Sequence, residues 1–240
     1  MIASFHLARY PAGAAPGEMI RSVTQRRALG RVPGLRFARL LGTGRRSSTG
    51  WGADLRRWAL FAAWDSEADL DRFLHDSAVA RRWAARADEV WSVRLEPLGA
   101  HGAWAGRPLG RDWMAAAMAA PVRVDVDPGP VAVLTRAAVR PRHWLRFHRA
   151  SAGLAPQLDG QPGLMARIGV GELPVGRLAT MSFWTSGAEL DRFVRGQATH
   201  RDIVRRTRTE GWYREELFAR FRPYGSSGSW DGTDPLMPPA

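Results

Sequence analysis

Six histidines, abundant arginine and no cysteine set the chemistry open to this chain of 240 residues. All 35 of its basic residues are arginine, and neither lysine nor asparagine occurs. Without lysine there is no Schiff base to pyridoxal phosphate or a carbonyl substrate, and no phosphate-loop lysine. Without cysteine there is no thiolate nucleophile or metal ligand, no iron–sulfur cluster and no disulfide. Histidine is then the neutral side chain left to hold a metal. No two histidines stand four apart, and Gly-x-Ser-x-Gly is absent. Gly169-Val170-Gly171-Glu172-Leu173-Pro174 has a proline where a dinucleotide fingerprint needs its third glycine. Zinc hydrolysis, serine hydrolysis and nucleotide binding all lack their residues.

The histidines differ in the company they keep. His75 lies off the apolar line of its helix and reads as solvated. His101, in a Gly-rich stretch, and His143, beside Pro141, read as surface or capping residues. His6, alternating with Phe5 and Leu7, and His148, four residues after Trp144, are open to two readings, a ring that lines a cavity or a half-buried ring satisfied by a hydrogen bond. His200 stands apart, because Leu190, Phe193, Gln197, His200, Val204 and Thr207 recur at spacings of three and four, the inward row of a helix. An imidazole there is either an interior ligand or a core ring bonded to a carbonyl.

The elements that position these residues come from an internal repeat. Arg57 to Trp64 followed by Asp65 to Leu74 matches Arg177 to Trp184 followed by Thr185 to Val194, with Trp64 and Trp184 separated by 120 and Phe73 and Phe193 by the same number. Ala80 is the counterpart of His200, so one copy offers an imidazole where the other has a methyl. Hydrophobic period and Pro-Gly breakers give each copy the order β-α-β-β-α-β, with strands near 2–8, 35–41, 58–64 and 91–95, then 131–139, 164–170, 178–184 and 217–221. Helices are expected at 18–29 and 143–158, with an amphipathic helix after the third strand of each copy. The fold class is therefore α+β: two tandem ferredoxin-like units, residues 1–98 and 131–224, whose sheets join in a dimeric α/β-barrel within one chain. Residues 99–130 read as a linker with a short helix at 112–119, and 225–240 as a polar, disordered tail.

Composition is consistent with this. A hydrophobic content of 45% with 11 tryptophans predicts an ordered core. The formal charge of +12 comes from a chain rich in Ala, Gly, Pro and Arg, which reads as compositional bias rather than selection for phosphate contacts, so nucleic acid is not an expected partner. The first nine residues carry no charged region ahead of a long apolar run, and no stretch reaches the roughly 18 apolar residues of a membrane span. A cytoplasmic protein is expected.

Several blocks resemble one family. Leu35 to Gly44, Trp91 to Leu98, Ala132 to Ala137, Ile168 to Pro174, and above all His200 through Trp212 to Phe221 are similar to spheroidene monooxygenase, the carotenoid 2-ketolase of bacterial pigment pathways. The resemblance implies haem b, with dioxygen and an external electron donor oxidising an allylic CH2 of an acyclic carotenoid to a ketone. It agrees with the two-unit barrel, a scaffold of haem enzymes such as chlorite dismutases and dye-decolourising peroxidases. It implies His200 as the iron ligand, with Trp184, Phe193, Gln197, Val204 and Arg205 around the cofactor. Of Arg201, Arg205, Arg206 and Arg208, one or two are expected at the propionates. The cavity is expected between the sheet and the second helix, bounded by Met181, Phe183 or Trp184. Arg39, Arg136 and Arg167, near strand positions, are candidate polarisers of bound oxygen or peroxide, or else surface and propionate-pairing arginines. Recruitment to other natural-product or nitrogen chemistry, a haem carrier and a cofactor-free barrel for a hydrophobic ligand stay open as alternatives. A homodimer is compatible with all of them.

Overall fold

The computed structural model describes residues 1–14, 17, 25, 27–44, 52–108, 129–172, 177–196 and 198–237, with the side chains of 107–108, 151–157, 198–201, 204 and 208 outside that set. The chain forms two compact units, residues 1–43, 54–96 and 223–240 in one and 44–53 and 97–222 in the other. Each is a ferredoxin-like α+β unit. Among the described residues no helix is long and apolar enough to cross a membrane.

In the first unit, β1 (Ile2–Arg9) runs antiparallel between β3 (Ala53–Trp64) and β4 (Glu89–Trp104), and β2 (Leu35–Gly44) flanks β3. Six consecutive buried residues in β1 show that both of its faces are covered. Of the helix expected at 18–29, residues 25 and 27–29 are described, and they are helical. The helix after β3 is two helices, α1 (Glu67–Asp76) and α2 (Ala78–Arg86), because Ser77 adopts an extended conformation that ends one and caps the next, its hydroxyl accepting from the Ala80 amide at 3.0 Å. The break shifts the inward line: Val79, Ala80 and Trp83 are buried on α2, and Ala84 is exposed. Leu60, Trp64, Leu70, Phe73, Val79 and Trp83 form the core between helices and sheet.

The second unit repeats this order. Its β6 (Val131–Val139) lies between β8 (Arg177–Trp184) and β9 (Tyr213–Gly228), with β7 (Leu164–Gly171) beside β8. Helix α3 (Trp144–Asp159) follows β6, and α4 (Gly187–Gly196) and α5 (Ala198–Thr209) follow β8. The repeat reaches individual bonds. Ser66 and Ser186 accept from the amides of Asp69 and Glu189 at 3.3 and 3.2 Å. Arg94 donates to Asp71 at 2.5 Å, and Arg220 to Asp191 at 3.0 Å, tying the last strand of each unit to its helix.

The ends of β4 and β9 also correspond, and they correct two expectations. Gly102-Ala103-Trp104-Ala105-Gly106 and Gly228-Ser229-Trp230-Asp231-Gly232 form the same turn. Gly102 and Gly228 have φ of +90° and +80°, and a Cβ on either would collide with a carbonyl oxygen, that of Glu216 or Val90. A carboxylate from the adjacent strand closes each turn: Glu215 accepts from the amides of Ala105 and Gly106 at 2.9 and 2.7 Å, and Glu89 from the Ser229 hydroxyl and Gly232 amide at 3.0 and 2.7 Å. Residues 225–237 are therefore ordered, not a disordered tail, with Trp230 packed 5.5 Å from Trp91. Residues 99–104 belong to β4, and Arg107–Pro108 form β5, so the strand structure runs well into the expected linker; the helix expected at 112–119 lies outside the described residues.

Candidate cofactor-binding site

The two units bury the same sheet face under their helices but fill it differently. In the first, His6 lies across from Leu60 and Ser92 in one cross-strand row. Its ring nitrogens bond to the hydroxyls of Ser92 and Ser4, each at 2.8 Å, and the Ser4 hydroxyl also accepts from the Trp64 indole at 2.8 Å. The Trp83 ring from α2 closes over His6 at 5.5 Å and Phe73 at 6.0 Å. Burial, aided by the charge of Arg94, pushes the His6 imidazole down to about 3, so it is neutral. The row is full, and its one titratable ring is locked.

The corresponding row of the second unit is Gly169, Thr180, Thr135 and Phe218. Thr135 takes the place of His6, Thr180 that of Leu60 and Ile203 on α5 that of Trp83, all smaller side chains, whereas Phe218 is larger than its counterpart Ser92. Thr135 is exposed although Val133, Leu134, Arg136 and Ala137 around it are buried. The exposure of Thr135 shows that this row is not closed over as the His6 row is by Trp83. Helix α5 buries Ile203 and Thr207, and His200 stands one turn before Ile203 in the helix. The Tyr213 phenol, which burial raises to about 12, hydrogen-bonds Thr207 and packs edge-on against Phe147 of α3 at 5.9 Å. Trp144, Phe147 and His148 form a half-buried aromatic group on α3, and the buried Trp144 Nε1 has no hydrogen-bond partner among the described residues. His101, expected in a linker, lies on β4 and stacks on Phe218 at 5.6 Å at the end of the row.

The residues expected at the site separate into groups. Gln197 and the side chains of His200 and Val204 lie outside the described residues; the Ala84 counterpart of Val204 is exposed, because of the break before α2. Arg205 is exposed and paired with Asp202. Trp184 donates to Ser182 at 3.1 Å and packs on Phe193 at 5.4 Å, yet Trp64 and Phe73 pack alike at 5.0 Å, so this contact is what either copy needs to fold. Trp184 faces the helices with Val131 and Val133, whereas Met181 and Phe183, one residue out of phase, face the other side of the sheet. Arg206 is held by Glu210 at 3.0 Å, over the Trp212 ring.

The three strand arginines do not converge. Arg39, in the first unit, donates to the Ala38 carbonyl and covers the Phe37 ring. Arg167 is on the helix-facing side of β7 but pairs with Asp159 at 2.7 Å. Arg136 points to the opposite face, buried, over the Trp104 ring, with Glu215 at 2.5 Å and Glu172 at 3.5 Å. Burial raises the Glu215 carboxyl, but the amides of Gly106 and Ala105 and the Arg136 guanidinium outweigh it and hold the group below the usual carboxylate range. This is an anchor for the β4–β5 turn. Of the other histidines, His75 is exposed and bonded to the Asp71 carbonyl at 2.7 Å, and His143 stacks on Trp212. Among the described residues no group of three His, Asp or Glu is spaced to hold a bare metal ion.

No protein-family model matches the chain. The spheroidene monooxygenase of Rhodobacter capsulatus is 34% identical over 236 residues, which is 98% of this chain and 95% of that protein. The enzyme of the same name from Rubrivivax gelatinosus is 34% identical over 200 residues, 83% and 73% of the two chains. Among solved structures an aldoxime dehydratase is similar with a TM-score of 0.58 over 92% of this chain and 80% of its own, at 14% identity, a likeness of fold alone. Because the sequence match runs almost end to end, through both units and the turn that closes each, this chain belongs to the spheroidene monooxygenase family and is a monooxygenase.

Proposed function

We propose that the chain is a haem-dependent carotenoid ketolase, with haem b in the second unit between α5 and the helix-facing side of the sheet and His200 as the iron ligand. One observation carries this reading: where the first unit packs Leu60, His6 and Trp83, the second has Thr180, Thr135 and Ile203, and where the first has Ala80, the second has His200. On the helix line alone, Trp83 and Ala80 give way to Ile203 and His200, so bulk is removed and a ligand is added there. Haem bound there supplies the dioxygen chemistry that oxidises an allylic CH2 to a ketone.

The chain's own residues do the rest. Ile203, Phe218 and the α3 aromatics give the space apolar walls that admit a hydrocarbon and exclude water. The Tyr213–Thr207 bond fixes the end of α5 against β9, holding the helix that carries His200. The sequence has no flavin or nicotinamide motif, so electrons come from a separate donor protein. The test is to load the purified chain with haem and supply reductant, dioxygen and an acyclic carotenoid with a free allylic CH2. The expected results are a Soret band and the ketone by mass spectrometry. A colourless protein that ignores haem, or a loaded one inert toward both dioxygen with reductant and peroxide, would contradict the reading.

A further inference from the structure

A haem site that activates oxygen needs a hydrogen-bond donor on the side away from the iron ligand, and the three arginines expected there are committed elsewhere. We propose that the hydroxyls of Thr135 and Thr180 are these donors, an inference that rests on haem binding at His200. The two residues are direct cross-strand partners on β6 and β8, so their side chains rise from the same face of the sheet. That face is the one covered by the helices, since Val131, Val133 and Trp184 of the same strands pack there with Leu190 and Phe193. In the first unit the α2 line packs onto this row, with Trp83 5.5 Å from His6. Ile203 and His200 correspond to Trp83 and Ala80 of that line, so a cofactor held by His200 would have Thr135 and Thr180 facing it from the sheet. In the first unit the row holds Leu60, a locked His6 and Ser92; in the second it holds Phe218 and two hydroxyls that make no hydrogen bond to any described residue. Arg136 is turned to the opposite face, Arg167 is paired with Asp159, and Arg39 belongs to the other unit.

The experiment uses Thr135→Val, Thr180→Val and the double variant, which keep the β-branched shape and remove only the hydroxyl. Each is loaded with haem, and fluoride binding to the ferric form and the C–O stretching frequency of the carbon monoxide complex of the reduced form are measured. Loss of one donated hydrogen bond to this anion raises the fluoride dissociation constant about tenfold or more, and loss of both raises it further. The carbon monoxide frequency shifts in parallel, the Soret intensity is retained, and Thr135→Ser restores the original values. Thr209→Val, whose hydroxyl bonds the Arg205 carbonyl at 3.1 Å, leaves both probes unchanged. Unchanged fluoride affinity and frequency in the haem-loaded double variant would overturn the proposal. So would loss of haem by the double variant, which would make the pair a packing element. A parent chain without a Soret band would instead refute the haem reading itself and this inference with it.

Discussion

His6 and Arg136 show how much a single buried polar residue depends on its partners. His6 is neutral in the folded chain, held near 3 by burial and by Arg94, while an exposed histidine titrates near 6.5. The unfolded chain therefore binds a proton that the native chain refuses, so this contribution to stability is complete above pH 6.5 and is lost as the pH falls toward 3. The expected slope is about 1.4 kcal/mol per pH unit within that window. Urea midpoints of the parent and of His6→Gln at pH 7 and pH 5 check it: the parent should lose more than the variant on acidification. Arg136→Ala removes a buried guanidinium from the half-buried Glu172 and Glu215, which keep Arg177 and the turn amides, and should cost about 2 kcal/mol in urea unfolding while leaving haem uptake unchanged. Loss of uptake with normal stability would return Arg136 to the site. Both residues were visible in the sequence as polar interruptions of apolar strands, but their partners, Ser92, Glu172 and Glu215, are far away in the chain and are brought in only by strand pairing.

Among the elements, the closing turns account for most of what the residue pattern concealed. The last strand of the second copy was expected to stop at Phe221 because Gly225 to Ser229 has a linker's composition, yet Gly-x-Trp-x-Gly at 228–232 repeats 102–106, and that recurrence was the available signal. Trp230→Ala should destabilise the chain by about 3 kcal/mol, and truncation after Tyr224 by at least as much, measured by urea unfolding. A tail without a structural role would change neither. The helix break was concealed for a different reason. A row at spacings of three and four runs smoothly through Ser77, and only the Ser77 cap rotates the second helix so that Trp83, not Ala84, turns inward. Ser77→Ala removes that cap and should cost about 1 kcal/mol. The four strands and the helical segments of each unit were legible because alternation and breakers agreed with the repeat.

Across the whole molecule, duplication explains why one copy can be specialised while the other remains a packed support. Shared pairs such as Arg94–Asp71 and Arg220–Asp191 preserve the unit, and one cross-strand row and the helix line above it are filled differently in the second copy. That asymmetry was legible at Ala80 and His200, where the copies align without a gap; the accompanying losses at Thr135, Thr180 and Ile203 required the strand register and the helix break. Placing a histidine in the first copy by Ala80→His should create no haem site, because Trp83 and His6 still fill the row. Whether His200 holds haem in the second unit is decided by haem titration of the parent and His200→Ala, followed at the Soret band with circular dichroism alongside. The parent should bind haem saturably, and His200→Ala should keep its fold by circular dichroism with haem retention abolished or greatly weakened. A His200→Ala protein that binds haem with an unaltered Soret spectrum would contradict His200 as the ligand.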